Sequence, residues 1–135
     1  MERGEPGTRE YFDWFYKGDW REPGAVEERW HPDLIVHQSS DVPDTKGTFH
    51  GYQGLKETFG ELRESFAGIV WDPIEIHDLG GGRHLLKVRV SGRGKGSGLA
   101  MDMEIGHLFT LRDGRASQLD VFFDWDRARE AAGLI

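Results

Sequence analysis

His107 interrupts an otherwise apolar alternation of Met101, Met103, Ile105, Phe109 and Leu111, and its type and placing point most directly to chemistry. Side chains two apart on a strand share a face, so this imidazole sits among five apolar groups. Buried there without a hydrogen-bond partner, it would cost about 1–3 kcal/mol. One reading is a core histidine satisfied by a neighbour. The other is a histidine on a pocket wall, where a near-neutral pKa suits proton transfer. Met101 and Met103 suit an adaptable cavity lining and plain packing equally.

The other candidates are weaker. His37 and Gln38 are adjacent in a short apolar run and point to opposite faces, so at most one lines the core. With His50, their plain reading is as solvated side chains. Six histidines without cysteine invite a metal, but no pair has HExxH spacing or an i, i+4 helical placement, and no metal or other cofactor is expected. The run Gly92-Arg93-Gly94-Lys95-Gly96-Ser97-Gly98 has the glycines of a phosphate loop. Such a loop needs a helix N-terminus after it, and here a strand-like run follows. No Gly-x-Ser-x-Gly elbow is present either.

Composition sets the outer bounds. The 135 residues suit a single domain, with residues 1–7 a loose leader. Absence of cysteine excludes a disulfide scaffold, a thiolate zinc site and a cysteine nucleophile. Lys and Arg number 17 against 24 Asp and Glu, a net charge of −7, which argues against a grip on nucleic acid phosphates. No apolar run approaches the ~20 residues that span a bilayer, and the first residues lack a signal-peptide core. The expectation is a cytoplasmic protein with neither a nucleic acid nor a membrane partner.

Elements must then bring these residues together. Thr8 can cap a first helix that runs to about Lys17 and is aromatic nearly all round, Tyr11-Phe12-Asp13-Trp14-Phe15-Tyr16. Ala25, Val26, Arg29 and Trp30 allow a short second helix, and Asp33–Gln38 reads as an edge strand. Tyr52, Leu55, Phe59, Leu62 and Phe66 fall at spacings 3, 4, 3 and 4, the stripe of an amphipathic third helix. Lys56, Glu57, Glu61 and Glu64 lie off that stripe and should be less buried. From Ile69 the period is two: Ile69–His77 bent at Pro73, then Leu86, Val88 and Val90, then the His107 strand, then Leu119, Val121 and Phe123. Gly80-Gly81-Gly82 and Asp113-Gly114 mark turns, and Asp124 or Asp126 caps a short last helix ended by Gly133. Helices first and a meander after is an α+β pattern. The period predicts that His107 shares its face with Val121 and that Asp120 faces the other way.

Nearly the whole chain then resembles one family. Phe49-His50-Gly51-Tyr52-Gln53-Gly54-Leu55, Arg93–Gly98, Phe109–Arg115 and Asp124–Leu134 are similar to the SnoaL-like branch of the nuclear transport factor 2-like superfamily. The resemblance implies a cone: three N-terminal helices packed on a curved, mostly antiparallel sheet, with a short C-terminal helix. It also implies a homodimer, for which Leu85, Leu108 and Phe122 supply apolar area on the outer face. Against ketosteroid isomerase, Tyr11 matches the oxyanion-binding tyrosine by its distance from Gly18-Asp19. The general-base aspartate falls at Gln38 and the protonated aspartate at His107. Against the polyketide cyclases, His107 matches a pocket histidine, and the acid/base aspartate falls at Val121, beside Asp120.

The implied function is binding of a small hydrophobic molecule in an apolar pocket, with cofactor-independent isomerase, cyclase or hydrolase chemistry. The alternative is a non-catalytic binder on the same frame. His107 would be the acid/base group and Tyr11 a donor to developing negative charge. Tyr11 or Trp14 would fix the tautomer of His107. Contacts to the ligand would come from Trp14, His37, Gln38 and Phe59 on one side, and from Met101, Met103, Phe109, Val121 and Phe123 on the sheet.

Overall fold

The period of two that begins at Ile69 is realised as four strands joined by hairpins. The computed structural model describes residues 5–17, 22, 24–38 and 47–134. The elements are α1 (Glu5–Tyr16), α2 (Ala25–Arg29), β1 (Trp30–Gln38), β2 (Thr48–His50), α3 (Gly51–Ser65), β3 (Phe66–Gly80), β4 (Arg83–Gly94), β5 (Ala100–Arg112), β6 (Arg115–Phe122) and α4 (Trp125–Ala132). One six-stranded sheet has the order β2-β1-β6-β5-β4-β3. β1 runs parallel to β6, and the other pairs are antiparallel. No described helix is long and apolar enough to cross a membrane.

Several assignments differ from the sequence reading. α3 ends at Ser65, so Phe66, the last residue of the expected helical stripe, opens β3. α1 opens at Glu5, so Thr8 lies inside it and the leader is shorter; Pro6 is tolerated because first-turn N–H groups have no intrahelical partner. Trp30 belongs to β1 rather than α2. β1 is not an edge strand, because β2 covers its outer side through Ile35↔His50, Val36↔Phe49 and His37↔Thr48. Three residues are too few to show a period. Gly18, Asp19 and the side chains of Glu61, Leu62, Glu64 and Phe66 lie outside the described residues.

The long-range pattern follows the period. Along α3, Leu55 is fully buried and Tyr52 and Phe59 partly so, while Lys56 and Glu57 are exposed. β3 carries a bulge between Pro73 and Glu75, where proline cannot donate to the ladder. His107 pairs with Val121 and Phe109 with Leu119, whereas Gly106 meets Phe122 and Leu108 meets Asp120. One sheet face therefore carries His107 and its apolar neighbours under α1 and α3. There Phe12, Phe15, Trp30, Leu55, Val88 and Phe109 form the main core, each fully buried side chain contributing roughly 1.5–3 kcal/mol.

The opposite face is closed at one end by the chain itself. Asp124 caps α4, its side chain accepting from the Asp126 N–H at 2.9 Å, and Gly133 ends the helix. Leu85, Leu108, Ala128 and Ala132 form a second cluster, joined by Phe122 and Trp125. So α4 covers Leu85 and Leu108, the apolar area that was expected to be left for a second copy. Two glycines permit the closest approaches. At Gly82 a Cβ would stand 2.6 Å from the Leu111 carbonyl oxygen, and the Leu111 N–H donates to the Gly82 carbonyl at 2.8 Å. At Gly106 a Cβ would overlap the Ala128 methyl.

Because both groups at that crossing are held by backbone, Gly106→Ala is expected to destabilise the fold by about 1–3 kcal/mol through overpacking. Ala128→Gly in the same chain should recover part of that loss. Urea unfolding of the two single variants and the double variant checks this, and strictly additive effects would contradict the packing described.

Candidate functional site

The site begins with what holds the end of α1. Phe12 and Phe15 are buried, their rings 5.3 and 5.2 Å from Phe109, and Phe15 lies 5.3 Å from Trp30. The last carbonyls of a helix lack intrahelical partners and favour a cation. Arg29, 8% exposed, supplies one. Its Nε donates to the Phe15 carbonyl at 3.1 Å, Nη2 to Trp14 at 3.0 Å and Nη1 to Ala25 at 3.2 Å. The guanidinium also lies 4.0 Å over the Trp14 ring. These contacts tie α1 to α2 and set its last residue, Tyr16, over β5.

Tyr16 Oη lies 2.7 Å from Nδ1 of His107. Around the imidazole stand Trp71 at 5.9 Å, the Tyr16 ring nearly parallel at 5.9 Å and Phe109 edge-on at 5.8 Å. Leu86 and Val121 flank it across the ladder. His107 is 2% exposed, and its Nε2 meets no hydrogen-bond partner among the described residues. Burial pushes the imidazole pKa down to about 3 and the Tyr16 phenol well above its usual 10. Both groups are neutral around neutral pH.

The expected partners of His107 are elsewhere. Tyr11 donates to the Gly114 carbonyl at 2.8 Å, in the turn after β5. That turn is on the order of 20 Å from His107 at ~3.4 Å per residue. Burial pushes the Tyr11 phenol up to about 12, against the lowering charge of Arg29. Trp14 is 40% exposed beneath Arg29. The helix turns Tyr16 inward instead because Tyr16 shares the face of buried Phe12, one turn earlier. The i, i+4 relation to Phe12 identifies Tyr16 only once the burial of Phe12 is known. Trp71 was likewise missed, as it follows the irregular start of β3.

The remaining candidates divide by face. Gln38 pairs with Val121 and so lies on the His107 face, while His37 pairs with Asp120 on the other. His37 is exposed, its Nδ1 3.0 Å from Thr48 Oγ1. Asp120 accepts from Gln118 Nε2 at 3.1 Å; burial raises its pKa, against the lowering effects of Gln118, His37 and Arg83. Phe59 meets Trp71 edge-to-face at 5.6 Å, and Met101 and Met103 are half-buried on the same side. Phe123, beyond the end of β6, is exposed. Among the described residues no three His, Asp or Glu groups converge as a metal would require. An imidazole and a phenol amid apolar groups instead suit hydrogen bonding to an organic molecule.

Comparison with known proteins agrees with this frame. A family model described as the SnoaL-like domain matches residues 8–119. No curated protein matches the chain. Among solved structures, TerC co-crystallized with polyporic acid is 22% identical, with a TM-score of 0.69 over 92% of this chain and 96% of that one. A candidate SnoaL-like polyketide cyclase from Jannaschia sp. CCS1 is 19% identical, with a TM-score of 0.71 over 100% and 99%. A protein with a ketosteroid isomerase-like fold from Catenulispora acidiphila, in complex with trimethylamine, is 12% identical, with a TM-score of 0.66 over 99% and 96%. At these identities the likeness is one of fold.

The depressed pKa of His107 has a consequence for stability. Unfolding lets the imidazole regain its ordinary pKa near 6.5, so below that value the unfolded chain binds the extra proton. Its contribution is complete above pH 6.5 and is lost as pH falls toward 3. Between pH 7 and pH 5 the loss should be about 2 kcal/mol. Urea unfolding at both values is expected to show that loss in the native chain and not in His107→Phe; equal pH dependence would contradict a buried neutral imidazole.

Proposed function

The chain belongs to the SnoaL-like domain family, and on that premise we propose that it binds a small, mainly apolar molecule on the concave sheet face, with one polar atom of that molecule meeting Nε2 of His107. The observation that carries this reading is Nε2 itself. It is buried and unpartnered among the described residues while Nδ1 is held by Tyr16. A buried nitrogen left so costs about 1–3 kcal/mol, and a ligand atom would remove that cost. Apolar walls with a few convergent polar groups are the usual make-up of a small-molecule site. Half-buried Phe59, Trp71, Met101 and Met103 supply such walls and the route of entry. Crystals of two proteins of this fold contain organic molecules, polyporic acid and trimethylamine, which supports the same reading.

Isomerase, cyclase or hydrolase chemistry is the second reading, favoured by the neutral Tyr16–His107 pair in dry surroundings. There the pair would donate to an oxygen on which negative charge develops. Such a reaction also needs a base. Asp120, the carboxylate next to the position where the cyclases carry theirs, pairs with Leu108 and faces away. Binding without turnover is therefore the reading the geometry supports better.

Methyl spectra of the protein labelled at methionine test the site directly. Titration with 1-indanone is expected to shift Met103 and Met101, with roughly tenfold weaker binding in His107→Phe. An unmoved Met103, or equal affinity in the variant, would overturn the proposal.

A further inference from the structure

The two neutral tautomers of His107 differ in how many buried groups they leave unpaired. If Nδ1–H donates to Tyr16 Oη, the phenol hydrogen has no acceptor among the described residues, and Nε2 is a bare lone pair. Two groups are then unsatisfied. If Tyr16 O–H donates to Nδ1, the phenol hydrogen and Nδ1 are both satisfied, and only an Nε2–H lacks a partner. Among the described residues no other group hydrogen-bonds to the ring, which Trp71, Phe109, Leu86 and Val121 surround. The pattern with one unpaired donor is favoured over the pattern with two unpaired groups.

We infer that Tyr16 sets the hydrogen-bond polarity of this site, so that His107 presents an N–H and selects an apolar molecule carrying an acceptor oxygen, such as a ketone, over one presenting a donor hydrogen. This rests on the small-molecule reading above and adds the chemical class of the ligand. Discrimination comes from rejection as much as from attraction. A donor ligand would set two hydrogens against each other, or force the proton onto Nδ1 and leave the Tyr16 hydrogen unpaired. Either outcome weakens it on the order of tenfold relative to an acceptor of the same shape. Tyr16 acts through His107 and is a positioning residue.

Two measurements test this. Two-bond proton–nitrogen correlation spectra of the native, nitrogen-15-labelled chain read which ring nitrogen of His107 carries the proton. Protonation at Nε2 is expected, and protonation at Nδ1 would overturn the inference with no ligand involved. Affinities for three bicyclic probes of similar shape give the second readout: 1-indanone, which only accepts, indole, which only donates, and indene, which does neither. The native chain should bind 1-indanone about tenfold more tightly than indole, with indene between them. In Tyr16→Phe that ratio should collapse toward one, since either tautomer is then open to the ligand. An unchanged ratio in Tyr16→Phe would overturn the role of Tyr16 and leave the site reading standing. Failure of all three probes to bind the native chain would overturn the site reading, and the nitrogen shifts would still decide the tautomer.

Discussion

β5 is packed on both faces around its middle, and the elements on either side hold it in register. Ile105, His107 and Phe109 are buried on the side of α1 and α3, and Gly106 and Leu108 on the side of α4. A strand in that position cannot slip by one residue, because every side chain would exchange faces. His107 would move under α4, and Gly106 would leave a gap below Tyr16. The placement of one imidazole against one phenol thus depends on contacts from both layers of the protein.

The exposed part of the outer face reinforces the same register. Arg89 is bidentate to Asp102 at 2.9 and 2.7 Å, and Lys87 lies between Glu75 and Glu104 at 3.8 and 3.4 Å. Ion pairs this open to solvent add little stability. Their effect is to mark the face: a slipped β4 or β5 would carry these charges into the core, where removal from water is costly. Polarity on one side and apolar packing on the other therefore encode one alignment twice.

Much of this was legible in the residues. Period two placed His107 with Val121 and turned Asp120 away, and Asp113-Gly114 marked the hairpin between β5 and β6. The third helix declared itself by its stripe. Tyr16 was not legible, because Tyr11, Phe12, Trp14, Phe15 and Tyr16 are aromatic around the whole helix and give no phase. The phase comes from tertiary contacts, the ties of Arg29 to the end of α1 and the seating of Phe12 and Phe15 on Phe109. The burial of Leu85 and Leu108 by α4 escaped for a related reason. An alternating strand shows that its second face is partly apolar but not which element, within the chain or outside it, covers that face.

The parallel pairing of β1 with β6 has a kinetic meaning. Val36 and Leu119, register partners, stand more than eighty residues apart in the sequence. Hairpins from β3 to β5 can close through nearby contacts, but β1 gains its inner neighbour only when β6 is in place. Contacts of such separation slow folding because a long loop must close before they return any stabilisation. The wall that Val121 and Gln38 add beside His107 depends on that same long-range pairing. Shape around the imidazole thus requires the closure of a loop of more than eighty residues between β1 and β6.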